Sequence, residues 1–181
     1  NLLFTVVSIY FVDRAGRRRL FFIGRGGIVA SLALLSACFF FHDALGEAGK
    51  WLSIVLVFAY IACFAMSIGP LGWLIISEVF PTRARGLGSS IGSLAVWVFN
   101  AVVTFTFFKI VRALTLPGTD IMVGGENLGN PAGAFAFYAV VAVAALVWGY
   151  FYVPETKGVS LEEIEQFWRE GGKPRMLGRR K

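Results

Sequence analysis

The sequence predicts an all-α, polytopic membrane protein, and three observations predict it. Hydrophobic residues make up 57% of the 181 and charged residues only 15%, a composition outside the usual range of soluble domains. Uncharged stretches at 51–77, 86–108 and 127–154 each exceed the ~20 residues that a helix needs to cross a bilayer. The basic residues alternate as well: 14 of the 17 Lys and Arg fall at 13–25, 82–86 and 154–181, against Lys50, Lys109 and Arg112 elsewhere. That asymmetry orients a membrane protein, so the net charge of +6 needs no nucleic acid to explain it.

The first apolar stretch, 1–12, is too short to span and reads as the surviving end of a longer helix. It has no charged n-region and no A-x-A-like site, which argues against a signal peptide. A basic loop follows at 13–19, then a span at about 20–41 that carries Arg25 near its end, where a long side chain can snorkel to the headgroups. An outer loop with His42, Asp43, Gly46 and Gly49 leads into the longest span, 51–77.

Within that span Gly69-Pro70 is expected to interrupt the helix, because Pro removes an amide donor. In transporters such interruptions mark midplane binding sites; a packing kink is the other reading. A turn at 80–85, a fourth span at about 86–112, a Gly/Asn/Pro-rich outer loop at 115–131 and a last span at 132–153 complete the membrane part. Ala132, Gly133, Ala134 and Ala136 permit close helix approach there. In the tail, 154–181, Ser160 and Glu163 form a capping box for a short amphipathic helix at about 161–170, which Gly171-Gly172 should end.

Cys38 and Cys63 lie in apolar runs without metal-ligand spacing and read as packing residues. His42 reads as interfacial, with no second ligand beside it. Gly24-Arg25-Gly26-Gly27 has no preceding strand, which favours close helix packing over phosphate binding.

The connections carry Asp13-Arg14-x-Gly16-Arg17-Arg18, Gly69-Pro70-x-x-Trp73, Glu78-x-Phe80-Pro81-x-x-x-Arg85 and Pro154-Glu155-Thr156-Lys157-Gly158. In this order and between spans, they resemble the C-terminal half of the sugar porter family of the major facilitator superfamily. That family includes facilitative glucose transporters and proton-coupled sugar symporters. The resemblance covers essentially the whole chain. It implies a partial C-terminal bundle of the major facilitator fold, with four full spans and one truncated span. It also implies a missing N-terminal helical half as partner, since substrate in this superfamily sits between two halves.

By the same resemblance Glu78, Arg85 and Arg17 form a cytosolic ion-pair gate, with Asp13 as helper and Glu155 either joining it or terminating a helix. Each solvated pair is worth only about 0.2–1 kcal/mol, so several together would be needed to bias two conformations. Trp73 matches a cavity-lining Trp below the broken helix and would offer an apolar plate to a sugar ring. With it come Gly69 and Pro70 at the break, Trp97 and Asn1 at further cavity positions, and Asn100, a polar residue one turn beyond Trp97. Val96 departs from the Asn or Gln of glucose and xylose carriers, which leaves hexose, pentose, polyol and disaccharide all open.

The expected function is secondary-active or facilitative sugar transport by alternating access, with a sugar, a coupled proton and the lipid bilayer as partners. No catalytic residue, cofactor or metal is expected. The expected place is the plasma membrane, with 13–19, 78–86 and the C-terminus cytosolic. A sugar sensor of the same fold is the rival; its usual long cytosolic tail is not matched by the short segment 154–181. A truncated, non-functional fragment is the third reading.

Overall fold

The computed structural model describes residues 1–80, 84–115, 122–123, 126–127 and 129–177. The helices are α1 (Leu2–Ala15), α2 (Arg17–Phe40), α3 (His42–Met66), α4 (Ile68–Val79), α5 (Arg85–Ala113), α6 (Ala132–Tyr152) and α7 (Leu161–Arg169). Among the described residues, four helical stretches are long and apolar enough to cross a membrane: Arg17–Phe40, His42–Ile76, Arg85–Ala113 and Ala132–Tyr152. The shorter apolar helix Leu2–Val12 precedes them.

Two connections expected as loops are largely helical. The basic loop at 13–19 shrinks to a joint of one residue, Gly16, at φ 90 and ψ 149. Only glycine adopts that conformation without strain. The outer loop at 42–50 is taken into α3, with Gly46 alone leaving helical geometry at φ 52 and ψ −130. Glu47 and Lys50, one turn apart and 2.5 Å from each other, pair along this stretch. In the outer segment 115–131 a two-residue antiparallel ribbon pairs β1 (Met122–Val123) with β2 (Glu126–Asn127).

Helix α2 lies at the centre, packed chiefly against α3 and α6. Leu35, Cys38 and Leu56 form the core there, with Phe39 and Phe135 stacked at 5.4 Å beside them. Small residues set the helix spacings, as expected when lipid removes the hydrophobic drive between spans. A Cβ on Gly24 would lie 2.8 Å from the Cys63 carbonyl oxygen, and one on Gly27 would run into the Cys63 sulfur. Gly149 lets the Phe21 ring within 2.5 Å of where its Cβ would stand. The thiols are therefore packing groups: Cys38 is buried and Cys63 fills the space left by Gly27.

At the C-terminal end of α2, buried Asn130 donates from Nδ2 to the Phe39 carbonyl at 3.2 Å and accepts the Ala132 amide on Oδ1 at 2.9 Å. It ties the start of α6 to the end of α2. Helix α5 is the least covered: of its 29 residues only Gly88 and Val111 are buried.

The tail helix α7 starts on a reciprocal capping box, with Ser160 N–H donating to Glu163 Oε2 at 2.9 Å and Glu163 N–H to Ser160 Oγ at 3.2 Å. It ends on Gly171 at φ 71, where the Gly172 amide reaches the Phe167 carbonyl and the Gly171 amide that of Trp168. Those two bonds are a Schellman end. Ile164 is buried on its apolar face.

Candidate functional site

The interruption expected at Gly69-Pro70 falls three residues earlier. Helix α3 stops at Met66, Ser67 takes φ −126 and ψ −89, and α4 begins at Ile68. Pro70 then occupies the first turn of α4, where a missing amide breaks no bond within that helix. In a continuous helix the Met66 carbonyl would accept the amide of residue 70, which Pro cannot supply.

Two serine hydroxyls repair the gap. Ser8 Oγ, on α1, donates to the Met66 carbonyl at 2.8 Å. Ser67 Oγ donates to the Cys63 carbonyl at 2.7 Å, because the Ser67 amide has turned to Phe64 at 3.2 Å. The ladder restarts with the Leu71 amide on the Ser67 carbonyl at 3.0 Å. Ser8 and Ser67 are 1% and 0% exposed, so both hydroxyls are closed to bulk solvent. Neither residue stands out in the sequence; the available signal is that Met66 lies four positions before a proline.

Below the break, Trp73 stands 47% exposed on α4, and a Cβ on the neighbouring Gly72 would meet nothing within 4 Å. Helix α5 runs antiparallel to α4, since Gly88 faces Phe80 and Gly92 faces Ile76 at 3.0 Å. At 1.5 Å of rise per residue, Trp73 and Trp97 stand roughly 4.5 Å and 7.5 Å beyond that contact, in the same direction, with Asn100 at about 12 Å. Trp97 is 67% exposed, and the Asn100 side chain makes no hydrogen bond to the described residues. Asn1 lies before α1, its carbonyl and side-chain oxygens both accepting from Thr5 Oγ.

At the opposite end of α4 the expected gate residues sit on helix termini. Glu78 is in the last turn of α4 and Asp13 in the last turn of α1; the side chains of both lie outside the described residues. Arg85 opens α5, with Nε and one terminal nitrogen enclosed and without a hydrogen-bond partner among the described residues.

Glu155 plays a part that the charge pattern did not disclose. Its carboxylate accepts the backbone amides of Arg17 at 3.1 Å and Arg18 at 3.2 Å, capping the N-terminus of α2. It also accepts the amide of Lys157 at 3.1 Å. A negative group there meets both unpaired amides and the positive end of the helix dipole. Gly16 makes room, because a Cβ on it would stand 2.8 Å from Glu155 Oε2. Arg18 donates to the Tyr150 carbonyl at 2.8 Å and Lys157 Nζ to the Arg14 carbonyl at 2.6 Å. The joint between α1 and α2 is thus latched to the exit of α6.

A hollow where the end of α2 meets the start of α3, lined by Leu34, Phe41, Leu45, Leu52 and Leu56 beside Cys38, is too apolar for a polyhydroxylated ligand. No group of three or more metal-ligating side chains exists among the described residues.

A family model described as "Sugar (and other) transporter" matches residues 1–168. The chain is 39% identical over 165 residues to "D-xylose-proton symporter-like 2" of Arabidopsis thaliana, covering 91% of this chain and 29% of that protein. It is 35% identical over 178 residues to "Probable polyol transporter 6" of the same plant, covering 95% of this chain and 33% of that protein. Among solved structures it is similar to the proton:xylose symporter XylE bound to 6-bromo-6-deoxy-D-glucose. The TM-score there is 0.74 at 32% identity, over 93% of this chain and 32% of that one. The chain spans about a third of the length of the relatives it matches.

Proposed function

The chain belongs to the sugar porter family of the major facilitator superfamily, and on that premise we propose that it is the C-terminal part of a carrier for a sugar or polyol. Transport proceeds by alternating access, with no covalent step, no catalytic residue and no cofactor. The exposed apolar sides of α1 and α5 take the helices of an N-terminal half, and substrate passes between the two halves. The observation that carries the reading is the broken span, which detaches the Trp73-bearing segment from α3.

In this reading Trp73 and Trp97 offer ring faces to the C–H side of a sugar, and Asn100 and freed backbone groups near Gly69 and Pro70 offer hydrogen bonds. Asn1 stands at the edge of the same cavity. Arg17, Glu78, Arg85 and Asp13 close the cytosolic side in the outward-open state, and Glu155 holds the start of α2 in register beside them. A proton accompanies the sugar, as the names of the relatives suggest. The protein resides in the plasma membrane with 13–19, 78–86 and the C-terminus in the cytosol.

Labelled hexoses, pentoses, polyols and disaccharides are to be offered to liposomes holding the full-length protein, with and without an inward proton gradient. Saturable uptake of one class identifies the substrate, and accumulation only under the gradient identifies symport. Absence of saturable uptake across the whole panel would sink the carrier reading. For the gate, Glu78→Gln should leave substrate binding intact and change the rate of exchange between the two faces.

A further inference from the structure

We propose that Ser8 is a positioning residue for the broken span: its hydroxyl stands in for the amide that Pro70 lacks, and so holds the end of α3, from which α4 and Trp73 depart, against α1. The observation is the 2.8 Å bond from Ser8 Oγ to the Met66 carbonyl, the carbonyl of this span whose helical partner four residues on is a proline. An unpaired carbonyl at this depth costs free energy with no water to relieve it. Ser67 cannot serve in its place, because its hydroxyl is committed to Cys63 at 2.7 Å.

The bond joins residues 58 positions apart and makes α1 a fixed reference for the break. Helix α1 packs against both α3 and α4, so the helix that supplies the hydroxyl borders the segments on both sides of the break. The break is a two-part device, with a proline that opens the ladder and a hydroxyl from another helix that decides where it closes. The link to substrate rests on the carrier reading through Trp73; the exchange of one donor for another does not.

Hydrogen–deuterium exchange at residues 67–72 of the full-length protein, without substrate, tests the proposal. Ser8→Ala should speed exchange there roughly tenfold, the effect of losing one buried hydrogen bond. Adding Pro70→Ala restores an amide to the carbonyl and should return exchange to within about threefold of the parent. Unchanged exchange in Ser8→Ala overturns the proposal, as does a double variant that exchanges no more slowly than the single one. If Ser8→Ala does not fold, recovery of a folded Ser8→Ala/Pro70→Ala protein supports the proposal and failure of both overturns it. Sugar uptake by the parent is read separately, so its absence would count against transport alone.

Discussion

Glu155 and Arg17 meet through a side-chain carboxylate and a backbone amide, 3.1 Å apart, with the Arg18 amide on the other oxygen at 3.2 Å. This is a helix cap delivered from the far end of the chain. Glu155→Ala should destabilise the full-length protein by about 1–3 kcal/mol, the worth of charge-assisted bonds to otherwise unpaired amides. Glu155→Gln keeps one acceptor oxygen and should lose less. Thermal melting in detergent checks the order; equal melting temperatures for all three proteins would remove the cap from the account.

Trp73→Ala should raise the half-saturation concentration for the transported sugar roughly tenfold, equivalent to about 1.4 kcal/mol. Trp148 is the control, since it is exposed on α6 and stacked on Tyr152 at 5.0 Å. Trp148→Ala should leave uptake as in the parent. Equal effects of the two substitutions would argue against a ring-binding role for Trp73.

Gly24→Ala should cost about 1–3 kcal/mol, the range for overpacking a tight contact, because its Cβ would press on the Cys63 backbone oxygen at 2.8 Å. Gly26→Ala, with nothing within 4 Å of its Cβ, should instead gain about 0.5–1 kcal/mol from the helix preference of Ala. Opposite shifts in melting temperature from two glycines of one helix are the expected outcome, and shifts of the same sign would contradict this packing.

Asn130→Ala would leave the Ala132 amide and the Phe39 carbonyl without the Asn130 side chain as partner, at a cost of about 1–3 kcal/mol. Faster hydrogen exchange at the first turn of α6 should accompany the loss. Unaltered exchange there would mean that the junction holds without its amide side chain.

The spans were legible in the sequence because length and charge suffice to find them: four apolar stretches and an alternation of Lys and Arg require no knowledge of packing. Ser160 and Glu163 were legible too, since both bonds of a capping box lie within four residues. Pro70 announced a break, but its position depends on a donor from Ser8, which no local pattern connects to Met66. The stretch around His42 and Gly46 looked like a loop by composition, yet a single glycine at φ 52 takes up the whole bend. The part played by Glu155 was hidden for the same reason as that of Ser8: its partners are backbone amides far away in sequence, and backbone amides carry no residue signature.

Both ends of α2 are fastened by residues made much later. The N-terminal end waits for Glu155, 138 residues after Arg17, and the C-terminal end for Asn130, 91 residues after Phe39. At about 5–20 residues per second of synthesis, 138 residues take roughly 7–28 s on the ribosome. For that interval the central span does not have both fastenings, and a chain that stops before residue 155 never acquires the one from Glu155.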